Sequence, residues 1–170
     1  EGAVTWTDKV YGESTTPFHA MQDQVLMRSN GVPLYNFGAA VDDVVMDISL
    51  VARGRDHLVN TPPQVLIYQG LGARVPEFAH LPMMLGPDGT KLSKRHGAVS
   101  VESYREDGWL PEALLNYISR FGWSHGDQEI FTREQLIAHF DWAHVGAHDG
   151  RYDKKKAEWV SGEHLRMRDD

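Results

Sequence analysis

Three features of the chain predict an α/β architecture in which part of a parallel sheet is followed by a mainly helical half. The first is a short, mostly apolar run, Ile48-Ser49-Leu50-Val51-Ala52, bounded by Asp47 on one side and Arg53-Gly54 on the other. That length and those boundaries suit a buried strand rather than a helix. The second is a helix start at Thr61-Pro62-Pro63-Gln64, followed by a second strand-like run at Phe78-Ala79-His80-Leu81. Strand, helix, strand is the rhythm of a parallel crossover unit. The third is a change of periodicity after residue 96, where apolar positions recur at helical spacing.

The elements are expected as follows. Val4-Thr5-Trp6-Thr7-Asp8-Lys9-Val10-Tyr11 carries strand-forming residues with imperfect alternation, and Ser29-Asn30-Gly31-Val32-Pro33 is a strong turn signal, so residues 1–33 read as short strands and loops. In the crossover helix, Thr61 is the expected N-cap, Pro62 the first helical residue and Gln64 the reciprocal partner of a capping box. Val65, Leu66 and Leu71 supply its apolar side, and Gly72 stops it in the left-handed conformation. Pro111-Glu112-Ala113-Leu114-Leu115-Asn116-Tyr117-Ile118 is the next helix, closed by Gly122. Thr132-Arg133-Glu134-Gln135 is a second capping box, with Phe131 and Leu136 as its hydrophobic staple. A last helix is expected to begin near Asp153, with Trp159 and Val160 on its buried side.

Composition narrows the function. The apolar content of 41% and charged content of 24% are those of a folded globular chain. No apolar run approaches the roughly 18 to 20 residues needed to span a bilayer, which argues against a membrane role. The 170 residues contain no cysteine, which excludes disulfides and thiolate metal sites and fits a reducing cytoplasm. A net charge of -7 opposes general polyanion binding. Two local basic clusters remain, Lys91-Leu92-Ser93-Lys94-Arg95-His96 and Arg151-Tyr152-Asp153-Lys154-Lys155-Lys156, and the second reads equally well as a solvated face. Of the nine histidines, His139, His144 and His148 are accompanied by no metal-ligand pattern, so no metal site is expected there. Met83 reads as core packing. The chain opens on Glu1, without a leader, and reads as a segment of something longer.

The stretch that points to chemistry is Gly86-Pro87-Asp88-Gly89-Thr90-Lys91-Leu92-Ser93-Lys94-Arg95. A glycine turn is joined to two lysines three residues apart, with a hydroxyl between them. Ammonium groups so placed can stabilise charge growing on a leaving pyrophosphate, a contribution of several kcal/mol in a shielded site. The Walker spacing is absent.

Lys91-Leu92-Ser93-Lys94-Arg95 resembles the Lys-Met-Ser-Lys-Ser signature of the class I aminoacyl-tRNA synthetases, in a form seen in glutamyl-tRNA synthetases. Leu34-Tyr35-Asn36-Phe37, Val41-Asp42-Asp43, Val51-Ala52-Arg53-Gly54, Asp56-His57-Leu58 and Asn60-Thr61-Pro62 resemble the bacterial glutamyl enzymes in the same order. Leu110-Pro111-Glu112-Ala113-Leu114-Leu115-Asn116-Tyr117 and Gly122-Trp123-Ser124 extend the likeness over nearly the whole chain.

The resemblance implies ATP-driven activation of glutamate to glutamyl-adenylate, with Mg2+ assisting at the phosphates, then transfer to tRNA. It implies that Lys91 and Lys94 stabilise the triphosphate and pyrophosphate while Ser93 helps to hold the loop. Tyr35 and Arg53 would face glutamate, Asp56 and His57 would lie near the adenosine and the amino acid, and Met84 and Leu92 would line the adenine side. Taken alone, Arg53 reads as a surface ion pair and Tyr35 as a core ring; the surrounding motifs turn both toward the substrate, for which an arginine fork is well suited.

For the fold, the resemblance implies the carboxyl-terminal half of a Rossmann-like nucleotide-binding domain followed by a helical stem-contact domain. The expected division is residues 1–33 as the end of an inserted acceptor-stem-binding domain, 34–96 as the catalytic half and 97–170 as the stem-contact domain, in a monomer. The family's His-Ile-Gly-His signature and an amino-terminal glutamate-binding arginine would precede residue 1, so the isolated chain is expected to be inactive. Arg55 stands where the family usually has an acidic residue, and Pro63 where arginine is common. Glutaminyl-tRNA synthetase is the nearest alternative within the class. A non-catalytic nucleotide- or tRNA-binding module is the alternative outside it.

Overall fold

The computed structural model describes residues 2–93 and 100–168. They form two compact units, Glu1–Leu81 and Pro82–Asp170.

The first unit is built on a four-stranded mixed sheet. Strands β1 (Ala3–Asp8) and β2 (Gly12–Pro17) form an antiparallel hairpin, helix α1 (Tyr35–Val45) leads to strand β3 (Leu50–Gly54), and helix α2 (Thr61–Gly70) leads to strand β4 (Glu77–Leu81). The order across the sheet is β2-β1-β4-β3, with β4 parallel to both β1 and β3. The crossover unit is therefore present, with β3 two residues later than the apolar run alone indicates. It is half-buried rather than buried, because it lies at the edge of the described sheet. The core gathers Val4, Ala40, Val65, Ile67, Tyr68 and Phe78, with Trp6, Phe37 and Val51 packed against them. Tyr68 donates its hydroxyl to Asp43 Oδ2 at 2.6 Å, tying α2 to α1.

Three expectations for α2 meet different outcomes. Gly72 does follow the helix with φ of 65°, the left-handed region that glycine adopts without steric cost. The N-cap position, however, falls on Asn60, with no side-chain cap bond. Thr61 is the first helical residue, and its hydroxyl is used elsewhere, as described below. Val65 is buried as expected, but Leu66 and Leu71 are exposed, and the buried side is completed by Ile67 and Tyr68.

The second unit begins with β5 (Met84–Leu85), which pairs in parallel with β6 (Gly150–Arg151). Helices α3 (Val101–Glu106), α4 (Pro111–Ser119), α5 (Arg133–His139) and α6 (Lys154–Arg166) make up most of the rest. Helix α4 starts on a proline, where the missing N–H is no loss. Gly122 follows it at φ of 95°, and a Cβ there would collide with the Pro82 ring. The α5 capping box forms in full, Thr132 and Gln135 each bonding the other's backbone N–H, with Phe131 and Leu136 both buried beside it. Asp153 caps α6 by accepting from Lys156 N.

Tyr117, Ala157 and Val160 form the centre of the packing between α4 and α6, with Tyr117 meeting Phe121 and Tyr152 edge to face. Trp159 is 40% exposed, contrary to expectation. It lies next to buried Val160 but points out, where the Lys156 ammonium sits 4.1 Å above its ring.

Candidate functional site

The sheet of the first unit places three polar residues side by side. Residues opposite one another in a ladder point the same way, and alternate residues along a strand share a face. Arg53 is in register with His80, and Asp8 with Phe78. Phe78 and His80 are two apart, so Asp8, His80 and Arg53 project from one face, on three adjacent strands. All three stand at or next to the carboxyl ends of parallel strands, where open α/β sheets bind their ligands.

Asp8 and His80 are buried in this face. Asp8 Oδ1 accepts from the backbone N–H groups of Val10 at 2.9 Å, Tyr11 at 3.0 Å and His80 at 3.3 Å. Its Oδ2 lies 2.6 Å from His80 Nδ1. On the other side of the ring, Arg53 Nε donates to His80 Nε2 at 3.1 Å. Arginine has no acceptor, so Nε2 must offer its lone pair and the ring proton sits on Nδ1, donated to Asp8.

His80 is thus a neutral imidazole between an anion and a cation. Burial pushes its pKa down, more than the Asp8 hydrogen bond raises it. For Asp8, burial works upward but is outweighed by the bonds from His80 and the three backbone amides, leaving the carboxyl below its ordinary value.

Arg53 is held at a second point. Its Nη2 donates to Thr61 Oγ1 at 3.0 Å and to the His57 carbonyl at 3.4 Å. Thr61 Oγ1 is also 3.3 Å from His80 Nε2, which explains why this hydroxyl does not cap α2. The Arg53 guanidinium carbon stands 5.9 Å over the Phe78 ring. Two of its three nitrogens are therefore anchored, and the residue remains half-buried.

Tyr35 and His57 adjoin this arrangement. The Tyr35 hydroxyl and the Asn60 side-chain amide approach His57 Nδ1 at 3.2 and 3.1 Å, and the Tyr35 and His57 rings are 5.4 Å apart. The amide nitrogen can only donate, so Nδ1 is an acceptor. Tyr35 is 54% exposed and is not the buried core ring of the plain reading. Asp56 is exposed in the short 3-10 segment Arg55–Asn60 that carries His57.

The lysine loop belongs to the second unit and starts from a small hairpin. Leu92 N donates to Met84 O at 2.8 Å and Gly86 N to Thr90 O at 2.7 Å, with Leu85 bridged to Lys91. Asp88 Oδ1 accepts from both the backbone and the hydroxyl of Thr90, and Gly89 turns the chain at φ of 78°. Met84 and Leu92 are half-buried on paired segments, while Lys91 and Ser93 are exposed. Lys94 lies outside the described residues.

In the second basic cluster, Lys154 meets Glu158 at 3.7 Å and Lys156 pairs with Glu129. Among the described residues, no group of three or more His, Asp or Glu side chains gathers as a metal cage. No helix among them is long and apolar enough to cross a membrane.

Asp8 and His80 were not marked by the sequence. One acid and one imidazole, 72 residues apart, carry no spacing signal. Only the pairing of β1 and β4 unites them.

Comparisons with known proteins agree on one family. The model for tRNA synthetases class I (E and Q), catalytic domain, matches residues 1–159. A glutamate–tRNA ligase of Anaeromyxobacter sp. is 56% identical over 169 residues, covering 99% of this chain and 36% of that protein. One from Nitrosospira multiformis is 51% identical over the same coverage. The crystal structure of a glutamate tRNA ligase from Elizabethkingia meningosepticum in complex with its amino acid superimposes with a TM-score of 0.88 at 32% identity, over 98% of this chain and 37% of that one. The chain spans about a third of the length of the curated relatives it matches.

Proposed function

The chain belongs to the class I tRNA synthetases (E and Q) through their catalytic domain, and we propose that it serves as part of a glutamate–tRNA ligase. In that reaction the glutamate α-carboxylate attacks the α-phosphorus of ATP and pyrophosphate leaves; a ribose hydroxyl of the terminal adenosine of tRNA then takes the glutamyl group from the adenylate and AMP leaves.

Arg53 is the observation that supports this reading most. A guanidinium already fixed at Nε and Nη2 presents Nη1 without further ordering cost, which suits a charge-assisted hydrogen bond to a carboxylate. Tyr35, with its hydroxyl at His57, completes the amino acid side of the site. Asp56 lies next to His57, near where the adenosine would end. Met84 and Leu92 offer half-buried apolar surface for the adenine, and Lys91 and Lys94 neutralise the phosphates as pyrophosphate departs. Ser93 steadies that loop.

Mg2+ would travel with the triphosphate, as it commonly does. The protein is read as a cytoplasmic monomer. Residues 34–96 would belong to the catalytic half, together with β1 and β2, which share the sheet of β3 and β4, and 97–170 to the stem-contact domain.

The test is ATP–pyrophosphate exchange in a full-length synthetase bearing this segment. Exchange dependent on glutamate and unsupported by glutamine is expected, and Lys94→Ala should slow it by about 100-fold, the loss typical of removing one preorganised transition-state donor. Exchange driven by glutamine would favour the glutaminyl reading, and an unaffected Lys94 variant would remove the phosphate role.

A further inference from the structure

We propose that Asp8, His80 and Thr61 form a positioning chain that aims Arg53 at the substrate carboxylate. The inference rests on the reading of Arg53 given above and extends it to three residues that touch no substrate.

Arg53 sits on a strand at the edge of the described sheet, and a long cationic side chain there would ordinarily sample many rotamers. Orienting it costs up to about 2 kcal/mol of side-chain entropy. Here that cost is met during folding. Nε is held by His80 and Nη2 by Thr61 and the His57 carbonyl, two fixed points that define the plane of the guanidinium.

The chain behind those points is rigid. His80 cannot rotate without losing Asp8, and Asp8 cannot move without releasing the amides of Val10 and Tyr11 at the end of β1. Phe78 stacks with His80 at 6.3 Å and an interplanar angle of 14°. The arrangement is also polarised in one direction. The Asp8 carboxylate draws on the Nδ1 proton and makes Nε2 a stronger acceptor, so the bond to Arg53 gains from the anion two links away. A direct Asp8–Arg53 ion pair would neutralise the guanidinium; an imidazole in between orients it while leaving its charge for the substrate.

If packing alone were the purpose, hydrophobic residues would fill the Asp8 and His80 positions at lower cost than a buried carboxylate with its hydrogen bonds. Such networks belong to sites whose reacting groups must be held to within about half an ångström.

The experiment is a double-mutant cycle in a full-length synthetase bearing this segment, reading KM for glutamate and for ATP in pyrophosphate exchange. Arg53→Lys tests the underlying reading, because it keeps the charge and loses the anchored guanidinium. Thr61→Val and His80→Gln test the chain; Thr61→Val is isosteric and stands at a helix start, so it reports even where His80→Gln impairs folding. Each is expected to raise KM for glutamate by about 10-fold, the equivalent of one lost hydrogen bond to a charged group, with KM for ATP unchanged. In the Arg53→Lys background each should add less than 2-fold, since residues that act through one another are not additive.

An Arg53→Lys enzyme with an unchanged glutamate KM would defeat the reading of Arg53 and this inference with it. A raised KM for Arg53→Lys alongside unchanged or fully additive effects of Thr61→Val and His80→Gln would defeat the inference alone.

Discussion

His80 in the first unit and His164 in the second are both buried imidazoles bonded to a side-chain oxygen, at 2.6 Å to Asp8 and 3.0 Å to Asn116. Their surroundings differ. Asn116 uses both ends of its amide: Oδ1 accepts from His164 Nε2 and from Phe131 N, and Nδ2 donates to the Glu129 carbonyl. That network is neutral, closed and located where α4 meets α6, so it reads as structural. The Asp8–His80–Arg53 network carries two formal charges and ends on a half-buried guanidinium at the carboxyl ends of the strands. A polar cluster that closes on itself specifies a fold; one that ends at a partly open cation can serve a ligand.

The largest effect expected from this contrast is on stability. His80→Ala removes a hydrogen bond from a buried carboxylate and strands Arg53 Nε, at a cost of about 3 to 5 kcal/mol, measured by denaturant unfolding. Asn116→Leu in the other network leaves Phe131 N–H, the Glu129 carbonyl and His164 unmatched but strands no charge, and should cost about 2 to 3 kcal/mol. Equal losses would remove the distinction drawn between the two clusters.

A smaller effect concerns pH. Burial depresses the pKa of both histidines in the fold. Below the unfolded value near 6.5 the unfolded chain therefore binds protons that the fold refuses, and stability falls as pH drops through that value, by at most about 1.4 kcal/mol per pH unit for each group. Asp8 is also depressed, and its contribution is present above about 3.8 and lost as pH falls through its lower folded value. Both units thus lose stability in two adjoining acid windows, because Glu102, Glu112 and Glu134 of the second unit are likewise held below their ordinary value by hydrogen bonds. Proton uptake on unfolding, followed between pH 7 and 3, checks this, with His80→Gln flattening the upper window.

The smallest effects lie away from both networks. Thr132→Ala should cost about 1 kcal/mol by opening the α5 capping box. Trp159→Ala, which gives up the Lys156 ammonium contact at a 40% exposed position, should cost about 0.5 to 1 kcal/mol.

What the sequence made legible follows the same division. Local signals held where the responsible groups are near in the chain: the Thr132–Gln135 box, the α4 start at Pro111, the glycine stop after α2 and the strand–helix–strand unit all appear. They failed where a distant partner competed. Thr61 has the composition of an N-cap, but Arg53 and His80 recruit its hydroxyl. Trp159 reads as core until Lys156 is seen above it. The motif residues Tyr35, Arg53 and His57 are brought together in the first unit. The groups behind Arg53, His80 and through it Asp8, come from opposite ends of that unit and emerge only once the sheet order is known.

The most direct test of the site is a crystal structure of a full-length synthetase bearing this segment with glutamate bound. A carboxylate oxygen within about 2.9 Å of the Arg53 guanidinium, with the Arg53–His80 and His80–Asp8 bonds retained, is the result expected for a preoriented guanidinium. A glutamate whose carboxylates are both held elsewhere, with Arg53 turned wholly inward onto His80 and Thr61, would contradict it.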